Sequence, residues 1–313
     1  MAPTLVGLVY NGPGASVRSV HSLVRSLERC GEFTVRTVSA TEVTSDDESW
    51  RSADLFVFPG GADLPYVSAL GPVGMQRIRS YVEQGGVYLG FCAGAYFASG
   101  AVSFEAGTKL EVVGERHLKF YRGTAAGAAF PGFDYESERG AVAAKIKYKN
   151  VAGELSTLCA LALFHSLTRA SVCYSPIRSL ARSPGLGEWT TCLDYVNGGP
   201  YWMIDDTDDA VFRINSVNHQ RLDGIEVLAA YEDLNHAVAA MRCRVGEGVA
   251  VLCGSHPEIH HDDIADAPEG SEELYVEHVA RLKENLRQHE DSRAEFFRNL
   301  VTAGLRRESP VIQ

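Results

Sequence analysis

Val87-Tyr88-Leu89-Gly90-Phe91-Cys92-Ala93-Gly94-Ala95-Tyr96 joins an apolar run of strand-forming residues to a run of small residues able to start a helix. Glycines stand two before and two after the cysteine. A tight strand-to-helix elbow leaves no room for Cβ atoms at those positions, and it lifts the side chain between them above the sheet. A thiol there sits at a helix N-terminus, where unpaired amides and the helix dipole favour an anionic sulfur. The same stretch also suits a buried structural cysteine after a parallel strand. The elbow alone does not decide the chemistry.

Upstream, Leu5–Tyr10 is an apolar run suited to a buried parallel strand, and Asn11-Gly12-Pro13-Gly14 is a turn. Ser16 is placed to cap a helix through Glu28, in which Val17, Val20, Leu23, Val24 and Leu27 form one apolar face. Phe33–Val38 alternates as a second strand, completing a βαβ opening that favours a right-handed crossover. Asp54–Phe58 is a third strand running into Pro59-Gly60-Gly61, and a helix is expected over Val73–Val82 before the glycine stop at 85–86. This pattern predicts a doubly wound, mostly parallel α/β sheet of flavodoxin-like type, whose ligands bind at the carboxyl ends of the strands. Residues 11–14, 59–61 and 92 all lie at such ends.

Residues 104–244 change character, with glycines, aromatics and short alternating runs such as Ala141–Tyr148. Asp194–Trp202 reads as a hairpin, and strand patterns recur at 227–231 and 237–243. Leu158–Leu167 suggests a short helix in which His165 is a packing residue. No linker marks a boundary, so 1–313 reads as one domain, with 104–244 a β-rich insertion or extension. Gly248–Cys253 returns to the core as an apolar strand, and 271–305 carries two charged amphipathic helices, expected to pack on the body with their charged faces solvated.

The formal net charge of −11 argues against a nucleic-acid or anionic-membrane partner, both of which need clustered cations. The opening Met1-Ala2-Pro3-Thr4 lacks a basic n-region, and no apolar stretch is long enough to span a bilayer. Seven cysteines without a CxxC pair read as reduced thiols, so a cytoplasmic location is expected.

After the last core strand comes His256-Pro257-Glu258. Proline biases His256 towards extended backbone, which would put side chains 256 and 258 on one side. A carboxylate beside an imidazole fixes its tautomer and raises its basicity, as a thiol nucleophile requires of its base. Cys92, His256 and Glu258 are therefore the candidate catalytic residues. Gly60, Gly61 and Ala93 are candidate oxyanion contacts, with Tyr96 and Asn11 as further substrate contacts.

Gly90-Phe91-Cys92-Ala93-Gly94 with the later His256-Pro257-Glu258 resembles the class I glutamine amidotransferase-like superfamily. Within it, Val9–Gly14, Phe58–Tyr66, Gly90–Tyr96 and the 195–201 asparagine-glycine segment are most similar to the N-terminal domain of eukaryotic-type biotin-protein ligases. The resemblance implies a Cys-His-Glu triad attacking an amide or other carbonyl of a small molecule. Glutamine-hydrolysing members carry Leu-Gly-His-Gln after the nucleophile, whereas this chain has Ala93-Gly94-Ala95-Tyr96, and a tyrosine offers no amide to hold free glutamine. The chain has no Gly-Arg-Gly-Arg-type adenylate loop, so biotin ligation itself is not expected.

A second reading stays open: a catalytically silent module that binds a metabolite or regulates biotin or carboxylase metabolism, with a protein partner unspecified. The crowding of His256, His260, His261, Asp262 and Asp263 raises a metal site as a third. Adjacent histidines diverge in extended backbone, however, so that loop reads as polar surface, and no metal or cofactor is expected.

Overall fold

The computed structural model describes residues 5–31, 33–150, 189–203 and 224–306. Its opening follows the periodicity. Strand β1 (Leu5–Tyr10), helix α1 (Val17–Arg29) and strand β2 (Phe33–Val38) form a βαβ unit with the two strands parallel. The Ser16 hydroxyl caps α1 by accepting from the Ser19 N–H, and Val20, Leu23 and Leu27 form its buried stripe. A short α2 (Ala40–Thr44), closed by a Ser39–Glu42 capping box, precedes β3 (Leu55–Phe58).

Helix α3 (Asp63–Glu83) starts at Asp63 and not at Val73 as expected. Pro65 falls in its first turn, where a missing N–H breaks no intrahelical bond, and a break at Gly71 (φ 57°) accommodates Pro72. β4 (Val87–Phe91) and the short α4 (Ala93–Ala98) make the elbow. A side sheet follows, ordered β6-β5-β7 from β5 (Ser99–Phe104), β6 (Val112–Glu115) and β7 (Tyr121–Gly127).

The remaining strands are β8 (Val142–Lys149), β9 (Trp189–Val196), β10 (Ile225–Tyr231), β11 (Val238–Val245) and β12 (Gly248–Cys253). They complete a nine-stranded sheet in the order β2-β1-β3-β4-β12-β11-β10-β8-β9. From β2 to β12 every pairing is parallel, and from β12 to β9 every pairing is antiparallel. The architecture is thus the expected α/β class, with β8 to β11 of the β-rich stretch continuing the main sheet as its antiparallel half and β6 and β7 lying in the side sheet.

Strand alternation sorts the core into two faces. Phe56, Phe58, Tyr88 and Leu252 pack with α3 and α4 on one side; Val57, Leu89, Phe91 and Val251 pack with α1 and the C-terminal helix on the other. One expectation is corrected. Residues 194–202 do not form a hairpin: β9 pairs only with β8 among the described strands, while Tyr201 and Trp202 bridge to Ala126 and Val238. The C-terminal helices pack on the body as expected, and the second buries polar residues as well. Beyond α5 (Glu273–Gln288), helix α6 (Glu290–Leu305) buries Phe296, Phe297, Leu300 and Val301 against the sheet, together with Arg293, Asn299 and Thr302. The expected helix at 158–167, with His165, lies outside the described residues.

Candidate active site

The elbow is built by close backbone approach. Cys92 has φ 46° and ψ −104°, a conformation that costs an L-residue on the order of 1–3 kcal/mol. Its N–H donates to Cys253 O (2.9 Å) at the end of β12, and the Gly94 N–H donates to Pro59 O (3.1 Å) at the end of β3. A Cβ on Gly94 would stand 2.4 Å from Phe58 O, and one on Gly90 would stand 2.6 Å from Gly94 O. Both obstacles are backbone atoms that cannot rotate away. The glycines are there because the elbow has no space for anything larger.

His256 arrives from β12, which neighbours β4 in the sheet. Its N–H donates to Tyr195 O (2.8 Å), and the Ile259 N–H donates back to His256 O (3.2 Å). Residues 256–259 therefore turn, instead of running extended as expected. The turn still brings the two side chains together: His256 Nδ1 lies 2.8 Å from Glu258 Oε1, leaving Nε2 as the nitrogen free to serve a thiol. Ser19 Oγ donates to the same carboxylate oxygen (2.9 Å) and accepts from the Gly60 N–H (3.0 Å).

Burial opposes a charge on His256, but the Glu258 carboxylate and a hydrogen bond with Cys92 outweigh it and push the imidazole up to about 10. His256 is 5% and Glu258 2% exposed, so this pairing works in low dielectric. Gly60 admits the ring: a Cβ there would lie 2.3 Å from His256 Cε1.

The loop is locked from below by Arg293, which is fully buried. Its Nε donates to Asp194 Oδ1 (2.8 Å), and its Nη2 donates to His256 O (3.1 Å) and Ile259 O (2.5 Å). One guanidinium thus ties helix α6 and strand β9 to the backbone that carries His256.

Cys92, His256, Gly61, Ala93 and Tyr96 line one cleft of about 390 Å³ at the carboxyl ends of the parallel strands. The amides of Gly61 and Ala93 donate to no partner among the described residues and remain available to an oxyanion. Gly60 is corrected as an oxyanion donor, because its N–H is committed to Ser19. Asn11 is also corrected. It is solvent-exposed, its N–H is spent on Val38 O (2.9 Å), and it does not line the cleft. The turn it begins brings Gly14–Ser16 to the cleft in its place, where Ala15 bridges Gly61. Tyr96 presents its ring to the cleft, while its hydroxyl donates to Gly198 O (3.1 Å).

Among site residues not anticipated from sequence, Ser19 had a visible signal, since it sits on the apolar stripe of α1 beside Val20 and Leu23. Arg293 had none. Arg18 is a third: it lines the cleft and bonds both Glu138 Oε1 (2.6 Å) and Tyr195 Oη (2.8 Å). His260 and His261 do not diverge, because a 3₁₀ turn brings their rings to 4.1 Å, centroid to centroid. With Asp262 they form a cluster that could hold a metal ion, but the His260 ring accepts from the Asp262 N–H through Nδ1 (3.2 Å), and so keeps its proton on Nε2.

The site thus sets a cysteine elbow after one inner strand of a doubly wound sheet beside a histidine-glutamate turn after the neighbouring strand. The chain belongs to the family of biotin-protein ligase N-terminal domains, whose model matches residues 6–161 and 184–310. It is 32% identical over 259 residues to a biotin–protein ligase of Schizosaccharomyces pombe, covering 80% of this chain but only 33% of that protein. The chain therefore corresponds to about a third of the ligase. An uncharacterized protein of Chlamydia muridarum is 28% identical over 301 residues, with 90% of this chain and 96% of that protein covered.

Among solved structures, PurLQS from Thermotoga maritima aligns with 14% identity and a TM-score of 0.48, over 96% of this chain and 99% of that one. A Thermotoga maritima glutamine amidotransferase aligns with 10% identity and a TM-score of 0.49, over 97% and 100%. No helix among the described residues is long and apolar enough to cross a membrane.

Proposed function

We propose that this protein is a thiol-dependent enzyme that cleaves or transfers the acyl group of a small-molecule amide. Cys92 Sγ attacks the carbonyl carbon, and the oxyanion that forms is held by the Gly61 and Ala93 amides. His256 carries the thiol proton and delivers it to the leaving nitrogen as the C–N bond breaks, giving a thioester on Cys92 and a free amine. Water or another nucleophile then takes the acyl group, with His256 accepting its proton. Glu258 orients the imidazole and stabilises its charged form. The observation that carries this reading is the strained Cys92 backbone, φ 46° and ψ −104°, facing the His256–Glu258 pair across one cleft. Such strain persists only where the surrounding structure enforces it, and it clusters at functional sites.

A second reading is supported by Tyr96, which stands where glutamine-hydrolysing relatives hold substrate. It describes a silent module that binds a metabolite and acts in biotin or carboxylase metabolism, alone or with a protein partner. Amine release from a panel of small amides, biotin amides included, by wild type and Cys92→Ala separates the two. Release that depends on Cys92 supports the enzyme. Saturable binding without release by either protein supports the module.

A further inference from the structure

Along the cleft four rings run edge to face from the elbow towards solvent. Tyr96 meets Phe104 at 5.7 Å and 79°, Phe104 meets Phe133 at 5.3 Å and 78°, and Phe133 meets Tyr135 at 4.6 Å and 79°. All four line the cleft, and Tyr135, at the outer end, is 53% exposed. A half-exposed tyrosine at a cleft mouth offers a flat apolar face to a ligand while its hydroxyl stays in water. Gly198, at φ 76°, lets this row close up, since a Cβ there would stand 2.4 Å from the Phe133 ring.

Of the charged side chains that line the cleft, Arg18 and Asp63 are already held in ion pairs. Arg18 is paired with Glu138 at 2.6 Å, and Asp63 with Arg116 at 2.6 Å. Asp134 at the rim accepts from the Ser137 hydroxyl (2.6 Å) and the Glu136 N–H (3.0 Å). A free amino acid such as glutamine needs an unpaired cation for its α-carboxylate, because burying an uncompensated charge is expensive. Among the described residues lining the cleft, Arg18 is already paired with Glu138 and His256 with Glu258.

Resting on the thiol-enzyme reading above, we infer that the acyl group taken by Cys92 belongs to an uncharged molecule with a flat or ring-bearing body, and not to a zwitterionic amino acid. The carbonyl sits at the elbow, and the body lies along Phe104, Phe133 and Tyr135. These aromatic residues set specificity without touching the reacting atoms.

The test compares rates of Cys92 alkylation by two chloroacetamides of equal intrinsic reactivity, read by peptide mass spectrometry. One bears a phenethyl group, the other a zwitterionic ornithine side chain. Iodoacetamide serves as the size-neutral reference for each protein. The phenethyl probe is expected to exceed the zwitterionic probe by on the order of tenfold, the scale of one good aromatic contact. Phe133→Ala, and separately the exposed Tyr135→Ala, should lower the phenethyl-to-iodoacetamide ratio several-fold. Equal rates for the two probes, with Cys92 labelled by both, would overturn this inference and leave the thiol reading intact. Failure of every electrophile to label Cys92 in the folded protein would overturn the thiol reading, and this inference with it.

Discussion

Glu258→Gln keeps the shape of a buried side chain and removes its charge. The glutamine can still accept from Ser19 and from His256 Nδ1, as the carboxylate does now at 2.9 and 2.8 Å. Burial, which already opposes a charged imidazole, is then offset only by the contact with Cys92, so His256 should titrate well below the value of about 10 that it has beside the carboxylate. The stability consequence has a definite sign. A histidine raised from 6.5 to about 10 on folding contributes stability that is fully present below pH 6.5 and lost as pH rises towards 10. Over the whole interval that amounts to on the order of 5 kcal/mol, and between pH 6.5 and 8 to about 2 kcal/mol. The lower window lies below the ordinary midpoints of thiols and phenols, and the other titrating groups contribute alike to both proteins. Urea unfolding at several pH values should therefore show the wild type losing about 2 kcal/mol relative to Glu258→Gln across pH 6.5–8. Histidine ring ¹⁵N shifts should show a charged His256 at pH 8 in the wild type and a neutral one in the variant. Parallel stability curves, or a neutral wild-type ring at pH 8, would refute the charged pair.

Three further outcomes are expected. Gly94→Ala places a Cβ 2.4 Å from Phe58 O and should cost about 1–3 kcal/mol or more in denaturant unfolding, since the obstacle is backbone. Arg293→Met leaves the fully buried Asp194 without its cation and should cost about 3–5 kcal/mol, whereas Asp194→Asn combined with Arg293→Met should recover part of that in a double-mutant cycle. Iodoacetamide at pH 7.5 should modify Cys92 before Cys243 or Cys253, because burial holds both of those thiols well above their ordinary range while Cys92 opens to the cleft; peptide mapping over time reads the order.

The parts of this site that sequence reveals are those that local geometry forces into the chain. Gly90 and Gly94 are legible because backbone crowding at an elbow excludes any side chain, and β12 is legible because a strand buried on both faces is continuously apolar. The partners that hold the site are distant in sequence. Ser19 reaches Glu258 and Arg293 reaches His256 through packing of whole helices on the sheet, and no periodicity within α1 or α6 encodes those meetings. Charge misled the reading of α6, where Arg293 looks like a solvated residue yet is buried between two carbonyls and a carboxylate. The loop amides show the same limit. Gly60 and Gly61 are equivalent on paper, and only the structure reveals that Ser19 claims one N–H and leaves the other.

The most direct measurement of the central claim is intact mass spectrometry of the protein quenched in acid during incubation with the amide panel. Wild type should carry an acyl adduct on Cys92 that hydroxylamine removes, as expected of a thioester, and Cys92→Ala should carry none. His256→Ala should form that adduct far more slowly, since the proton then has no carrier. An adduct on another residue, or amine release that proceeds unchanged in Cys92→Ala, would contradict the assignment of Cys92 as the nucleophile.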